Sequence, residues 1–210
     1  MNINLGNKKL VIFDFDGVLA NTIQLSFDIH KECNPDFTME KLQEICNGNF
    51  IDNMKYENNN KNHNIPTNFY EKYKEKIMKM TIDDILSKAI IELNKNYILA
   101  IVSSTTTVYI RNFLEKENVD KCFSDILGAD IHSNKTVKIN NLLEKYNIKP
   151  ECTVFVTDSL GDILEGNKCG VSSIGVTWGI HSKENLEKGN PIAVIDDPRD
   201  LLDCIKNVLK

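Results

Sequence analysis

Three apolar runs in this 210-residue chain each end in side chains that carry oxygen. Lys9 to Phe13 (KLVIF) runs into Asp14-Phe15-Asp16-Gly17, and Tyr97 to Val102 (YILAIV) into Ser103 and Ser104. Cys152 to Val156 (CTVFV) leads to Asp158 and Ser159, with Asp162 about one helical turn further on. If these runs are strands of an open α/β sheet, the residues after them meet beyond the carboxyl ends of the strands, where such sheets bind ligands. Four carboxylates, Asp14, Asp16, Asp158 and Asp162, would then converge. Two like charges about 4 Å apart repel by about 4 kcal/mol at an effective dielectric of about 20, so the cluster calls for a cation. Oxygen ligands without His or Cys select a hard ion. A few carboxylates completed by waters suit Mg2+, which usually bridges to a substrate phosphate. The residue types therefore point to phosphoryl chemistry. Taken alone, Asp14 to Gly17 also reads as a strand end entering an Asp-Gly turn. The hydroxyl-rich VSSTTT and the acid-rich TDSLGD, in that chain order, favour the chemical reading.

The elements that must position these groups are legible from patterning. Further short apolar runs occur at Ser173 to Thr177 and Ile192 to Ile195, with a weaker one at Asp125 to Ala129. Continuous apolar runs of this length suit strands buried on both faces. Helical segments at Thr106 to Lys116, Thr136 to Tyr146, Leu160 to Cys169, Lys183 to Lys188 and Pro198 to Leu209 separate them. This alternation predicts an α/β fold with a doubly wound parallel sheet. Ala20 to Leu86 breaks the rhythm and reads as an all-helical insertion, leaving residues 1–19 and 87–210 as the sheet-and-helix core. Within the insertion, Glu57 to Asn64 (ENNNKNHN) reads as a loop. The lysine-rich Tyr70 to Met80 reads as a solvated helix face with Glu71 and Glu75 as neighbours.

Composition excludes several classes. With 41% hydrophobic and 26% charged residues, the chain is an ordinary globular one, long enough to bury a core without staples. A net charge of −5 and a pI near 5.4 argue against nucleic-acid binding. No apolar stretch approaches the length of a membrane span, and MNINLGNKKLVIFDFD, whose short apolar run ends in acid, does not read as a secretory signal. The six cysteines form no C-x-x-C pair and read as thiols in a reducing, cytoplasmic compartment. The expected partner is a small phosphorylated metabolite, with no nucleic acid and no membrane; a monomer and a dimer are both compatible with the chain.

The motif residues carry a family resemblance. KLVIFDFDGVLANT (Lys9 to Thr22) resembles the first motif of the haloacid dehalogenase superfamily, a strand ending in Asp-x-Asp-Gly. YILAIVSS resembles the second motif, and VFVTDSLGDILEG (Val154 to Gly166) the fourth. The resemblance, running from about Lys8 to Leu202, implies a Rossmann-like core with a small helical cap, similar to phosphoglycolate phosphatases and β-phosphoglucomutase. It implies that Asp14 is a nucleophile giving an aspartyl-phosphate and that Asp16 is the acid and base. Mg2+ would be held by Asp14, the backbone carbonyl of Asp16, and Asp158, with Asp162 acting through a water. Ser103 would bind a phosphoryl oxygen, aided by backbone amides near Asp16 (at Gly17) and at Ser104.

The third motif is a lysine, and here the chain departs from the common form, which has proline after it. Of Lys135 and Lys138, three apart on one helix face, Lys135 is favoured because it starts the helix; Lys138 is then an ordinary surface lysine. Thr157 stands where glycine often precedes the acid. Asn21 and Thr22, at the hinge, are positioned to contact substrate, although Asn21 reads equally well as a helix cap. The second aspartate favours phosphate-ester hydrolysis over dehalogenation. A phosphosugar mutase of the same family and a non-catalytic binding or regulatory module are the alternatives.

Overall fold

The computed structural model describes residues 9–60 and 69–210. Among them, six strands form one parallel sheet: β1 (Leu10–Phe13), β2 (Ile98–Val102), β3 (Asp125–Leu127), β4 (Thr153–Thr157), β5 (Ser172–Val176) and β6 (Ala193–Ile195). Their order is β3-β2-β1-β4-β5-β6, so β1 lies at the centre with β2 and β4 on either side. Both faces are covered, which is why the strands read as unbroken apolar runs. Leu10 and Ile12 enter one layer with Phe155, Ile139 and Leu142, whereas Val11 and Phe13 enter the other with Leu99, Ile101 and Phe113.

Helices α1 (Ile23–Cys33), α2 (Met39–Ile45), α3 (Phe50–Asn60), α4 (Phe69–Ile77) and α5 (Asp84–Leu93) lie between β1 and β2. Then α6 (Thr107–Lys116) follows β2, α7 (Lys135–Tyr146) follows β3 and α8 (Leu160–Lys168) follows β4. After β5 comes α9 (Lys183–Glu187), and after β6 comes α10 (Leu201–Val208). Two of the helices that matter for the site start on side-chain caps, which satisfy backbone N–H groups left free at a helix start. The Asn134 side chain accepts from Val137 N–H at the head of α7, and Ser159 accepts from Asp162 N–H at the head of α8.

Two local expectations change. Glu57 to Asn60, expected as part of a loop, continue α3, and residues 61–64 lie outside the described residues. The buried Glu57 carboxylate pairs with Lys41 at 3.0 Å, a tertiary contact that outweighs the poor helix propensity of the asparagine run. The boundary expected between Leu86 and Ser87 falls inside α5, which is capped by Asp83 and buries Leu86, Ile90 and Leu93 in the sheet's own apolar layer. No helix among the described residues is long and apolar enough to cross a membrane.

Candidate active site

The site forms where β1, β2 and β4 end side by side. Asp14 continues the β1 ladder by one step, its N–H donating to Val156 O at 2.9 Å. Asp14 is 6% exposed; its Oδ1 accepts from Phe15 N–H at 2.7 Å and its Oδ2 lies 2.9 Å from Lys135 Nζ. The same ammonium donates to Asp162 Oδ2 at 2.6 Å, and Thr157 Oγ1 donates to that oxygen at 2.8 Å. Asp158 is wedged between two glycines. A Cβ on Gly17, at φ 73°, would meet its Oδ2 at 1.9 Å, and a Cβ on Gly179 would meet it at 2.2 Å. Ile180 N–H donates to Asp158 Oδ2 at 2.8 Å.

The charges in this cluster do not balance. Burial and the neighbouring carboxylates of Asp162 and Asp158 push Asp14 well above the ordinary carboxylate range, against the pull of Lys135. Burial, with Asp162 adding to it, pushes Asp158 up to about 7, although the Ile180 N–H opposes this. Asp162 is held down despite its burial, because Lys135 lies against it and it accepts hydrogen bonds. For Lys135, burial is overcome by Asp14 and Asp162, which keep it protonated. One ammonium thus faces three buried carboxylates, and the surplus negative charge suits a hard cation. Among the described residues no group of three or more His, Cys, Asp or Glu side chains converges closely enough to hold a metal ion. An ion here would take few protein oxygens and complete its shell with water, as Mg2+ does.

Asp16 has a different environment. It is half-buried, and both carboxylate oxygens accept from hydroxyls. Thr22 donates to Oδ1 at 2.7 Å and Tyr73 donates to the same oxygen, while Thr105 and Ser103 donate to Oδ2 at 2.8 and 3.3 Å. Hydroxyls can donate or accept, so this surrounding accommodates the carboxyl with or without its proton. Ser103 is fully buried and also accepts from Thr105 N–H, whereas Ser104 lines the cavity above. Asn21 is exposed and lies outside the cavity wall; Thr22, buried beside it, takes the inward position.

Lys138 is corrected by the structure. Expected at the surface, it is 0% exposed, its Nζ donating to Ser103 O at 2.6 Å and Gly128 O at 3.3 Å. The spacing that puts it on the face of Lys135 carries it inward, between the loops that leave β2 and β3. Burial and the nearby Lys135 lower its pKa to about 8.

Sequence reading also passed over Tyr73, Thr105, Asn49 and Glu165. For Tyr73 a signal existed: Phe69, Tyr73 and Ile77 recur every fourth residue through a lysine-rich helix whose Lys72 and Lys76 pair with Glu32 on the outside. The segment from Cys46 to Asn49 docks onto α8. Gly161 N–H donates to Cys46 O at 3.0 Å, and Asn49 Nδ2 donates to the buried Glu165 carboxylate at 3.1 and 3.2 Å. Glu165 also accepts from Lys135 N–H at 3.0 Å. His181 ties α2 to the same end of the sheet, accepting from Leu160 N–H at Nδ1 while Nε2 lies 2.9 Å from Gln43 O.

Residues 11–176 match the family model for haloacid dehalogenase-like hydrolases. The chain belongs to this family. A phosphoglycolate phosphatase of Vibrio cholerae is 30% identical over 65% of this chain and 62% of its own length. The pyrophosphatase PpaX of Oceanobacillus iheyensis is 26% identical over 94% of this chain and 96% of its own. Among solved structures, a putative phosphatase from Clostridium difficile superposes with a TM-score of 0.69 at 26% identity, covering 97% of this chain and 99% of that one. The chain spans between about half and 62% of the length of the phosphoglycolate phosphatases it matches.

Proposed function

We propose that this haloacid dehalogenase-like hydrolase is a Mg2+-dependent phosphatase of small-metabolite phosphate monoesters, acting through an aspartyl-phosphate. The observation that carries this reading is the pairing of a buried Asp14, 2.9 Å from Lys135 Nζ, with a hydroxyl-ringed Asp16 two residues on. Asp14 would attack phosphorus as the ester P–O bond breaks, and Asp16 would give its proton to the departing oxygen. Asp16 would then take a proton from water as that water attacks the aspartyl-phosphate, releasing inorganic phosphate and freeing Asp14. Lys135 offsets negative charge on Asp14 and on the phosphoryl group, and Ser103 and the backbone N–H of Ser104 would bind phosphoryl oxygens; the Gly17 N–H, expected to help there, donates instead to Ala20 O at 2.8 Å. Asp14, Asp158 and the Asp16 carbonyl would hold Mg2+, with Asp162 in reach through water. When bound, Mg2+ supplies charge stabilisation at the phosphoryl oxygens. The helical segment α1 to α4 acts as the cap that covers the site.

Names of the relatives make phosphoglycolate and pyrophosphate the first substrates to try, and the family resemblance adds sugar phosphates. The test is phosphate release across a panel of small esters with and without Mg2+. Turnover that needs Mg2+ and falls by at least about a thousandfold in Asp14→Asn is the expected result. Release from none of the panel in the presence of Mg2+ overturns the reading.

A further inference from the structure

The alcohol part of the substrate must sit above the carboxylates, and the chemistry of that wall narrows what it can be. The floor of the cavity carries Asp14, Asp16, Asp158, Asp162 and Lys135; the wall above is formed by Ile23, Leu42, Phe50, Phe69 and Ile180, with Cys46 among them. Lys135 is the one cation lining the cavity among the described residues, and it is already held by Asp14 and Asp162. Other nearby cations among the described residues are committed elsewhere. Lys72 and Lys76 face Glu32, and the His181 ring is fixed between Gln43 and Leu160. The uncharged polar side chains that line the cavity are hydroxyls: Ser26 on the wall; Tyr73, Thr22 and Thr105, which all donate to Asp16; and Ser104 and Ser159 near the strand ends.

We infer that the site is built for a phosphate monoester whose alcohol part is uncharged and largely apolar, such as an aryl-methyl or branched alkyl group, and that it disfavours a second anionic group. This rests on the phosphatase reading and deepens it. A substrate carboxylate or second phosphate would be set against apolar side chains, with no free counter-ion among the described residues and within reach of four carboxylates, an arrangement in which an unpaired charge loses more than it gains. An apolar group there contacts the two phenylalanines and the aliphatic side chains and sheds water in doing so. The same wall disfavours a bisphosphate, and with it the mutase alternative.

The test compares kcat/KM for benzyl phosphate with that for phosphoglycolate and pyrophosphate, on the full chain with Mg2+. Benzyl phosphate and phosphoglycolate both expel an unactivated alcohol, so their ratio reports recognition. A preference of at least about tenfold for benzyl phosphate is expected, about 1.4 kcal/mol at the tenfold level. Calorimetry on Asp14→Asn protein adds a readout without turnover: 2-phenylethylphosphonate should bind at least about tenfold more tightly than 3-phosphonopropionate. Phe50→Arg, with folding checked by circular dichroism, should shift the kcat/KM ratio towards phosphoglycolate. Equal or better use of phosphoglycolate or pyrophosphate, or equal binding of the two phosphonates, overturns this inference and leaves the phosphatase reading standing. Phosphate release from no ester overturns both.

Discussion

At the scale of single residues, the two motif aspartates differ in what surrounds them, and this separates their expected behaviour. Asp14 is enclosed with Lys135 and two further carboxylates, whereas Asp16 is met by four hydroxyls. Asp16→Asn keeps most of those contacts but cannot carry the proton; kcat should fall by about 10^2 to 10^4, read in steady-state phosphate release. Lys138 makes a prediction about pH. Its folded pKa of about 8 lies below the ordinary lysine value of 10.5, so the unfolded chain binds more protons between these values. Stability should therefore rise as pH increases from about 8 to 10.5, by roughly 3 kcal/mol from this group. Denaturant melts across that range, compared with Lys138→Met, should show that rise in the parent and its absence in the variant. That residue also shows where reading from sequence stops. A lysine on a helix is solvated by default, and no local pattern reveals that two carbonyls from separate loops await it.

At the scale of elements, the strands were legible because burial on both faces leaves a direct mark, an apolar run that ends in polar residues. Even the short β3 left a faint one. The helical segment between β1 and α5 was legible as helical but not in its contacts, since pairings such as Asn49 with Glu165 and Cys46 with Gly161 join residues more than a hundred positions apart. The α4 helix hid Tyr73 among lysines, and α3 ran on through an asparagine run because Glu57 found Lys41. The docking of residues 46–49 on α8 can be tested through Gly161. A Cβ there would lie 2.1 Å from Gly48 O, although alanine on its own suits a helix better than glycine by about 1 kcal/mol. Gly161→Ala should lower kcat/KM by about tenfold or more and speed proteolytic cleavage between Cys46 and Phe50, read on gels.

At the scale of the whole molecule, the surplus of buried negative charge couples the site to global stability. A cation that binds the folded chain alone stabilises it by about 2.7 kcal/mol at a hundred times its dissociation constant. Thermal melts should therefore move up with Mg2+ and return with a chelator, and this response should be lost in Asp158→Asn. The variant itself should be no less stable than the parent without Mg2+, since it removes a carboxylate that burial pushes up to about 7.

The register of the central strands has a consequence for how such a chain can vary in length over generations. Phe13 lies level with Ile101 on one side and Val156 on the other, so Asp14, Ser103 and Asp158 are set by counting residues along three adjacent strands. One residue lost from Leu10–Phe13 would draw Asp14 back by about 3.3 Å and turn it to the opposite face. A residue gained or lost between α3 and α4 changes no such count. Insertions and deletions inherited by descendants of this chain should collect there, far in sequence from the strand ends, while β1, β2 and β4 keep their lengths.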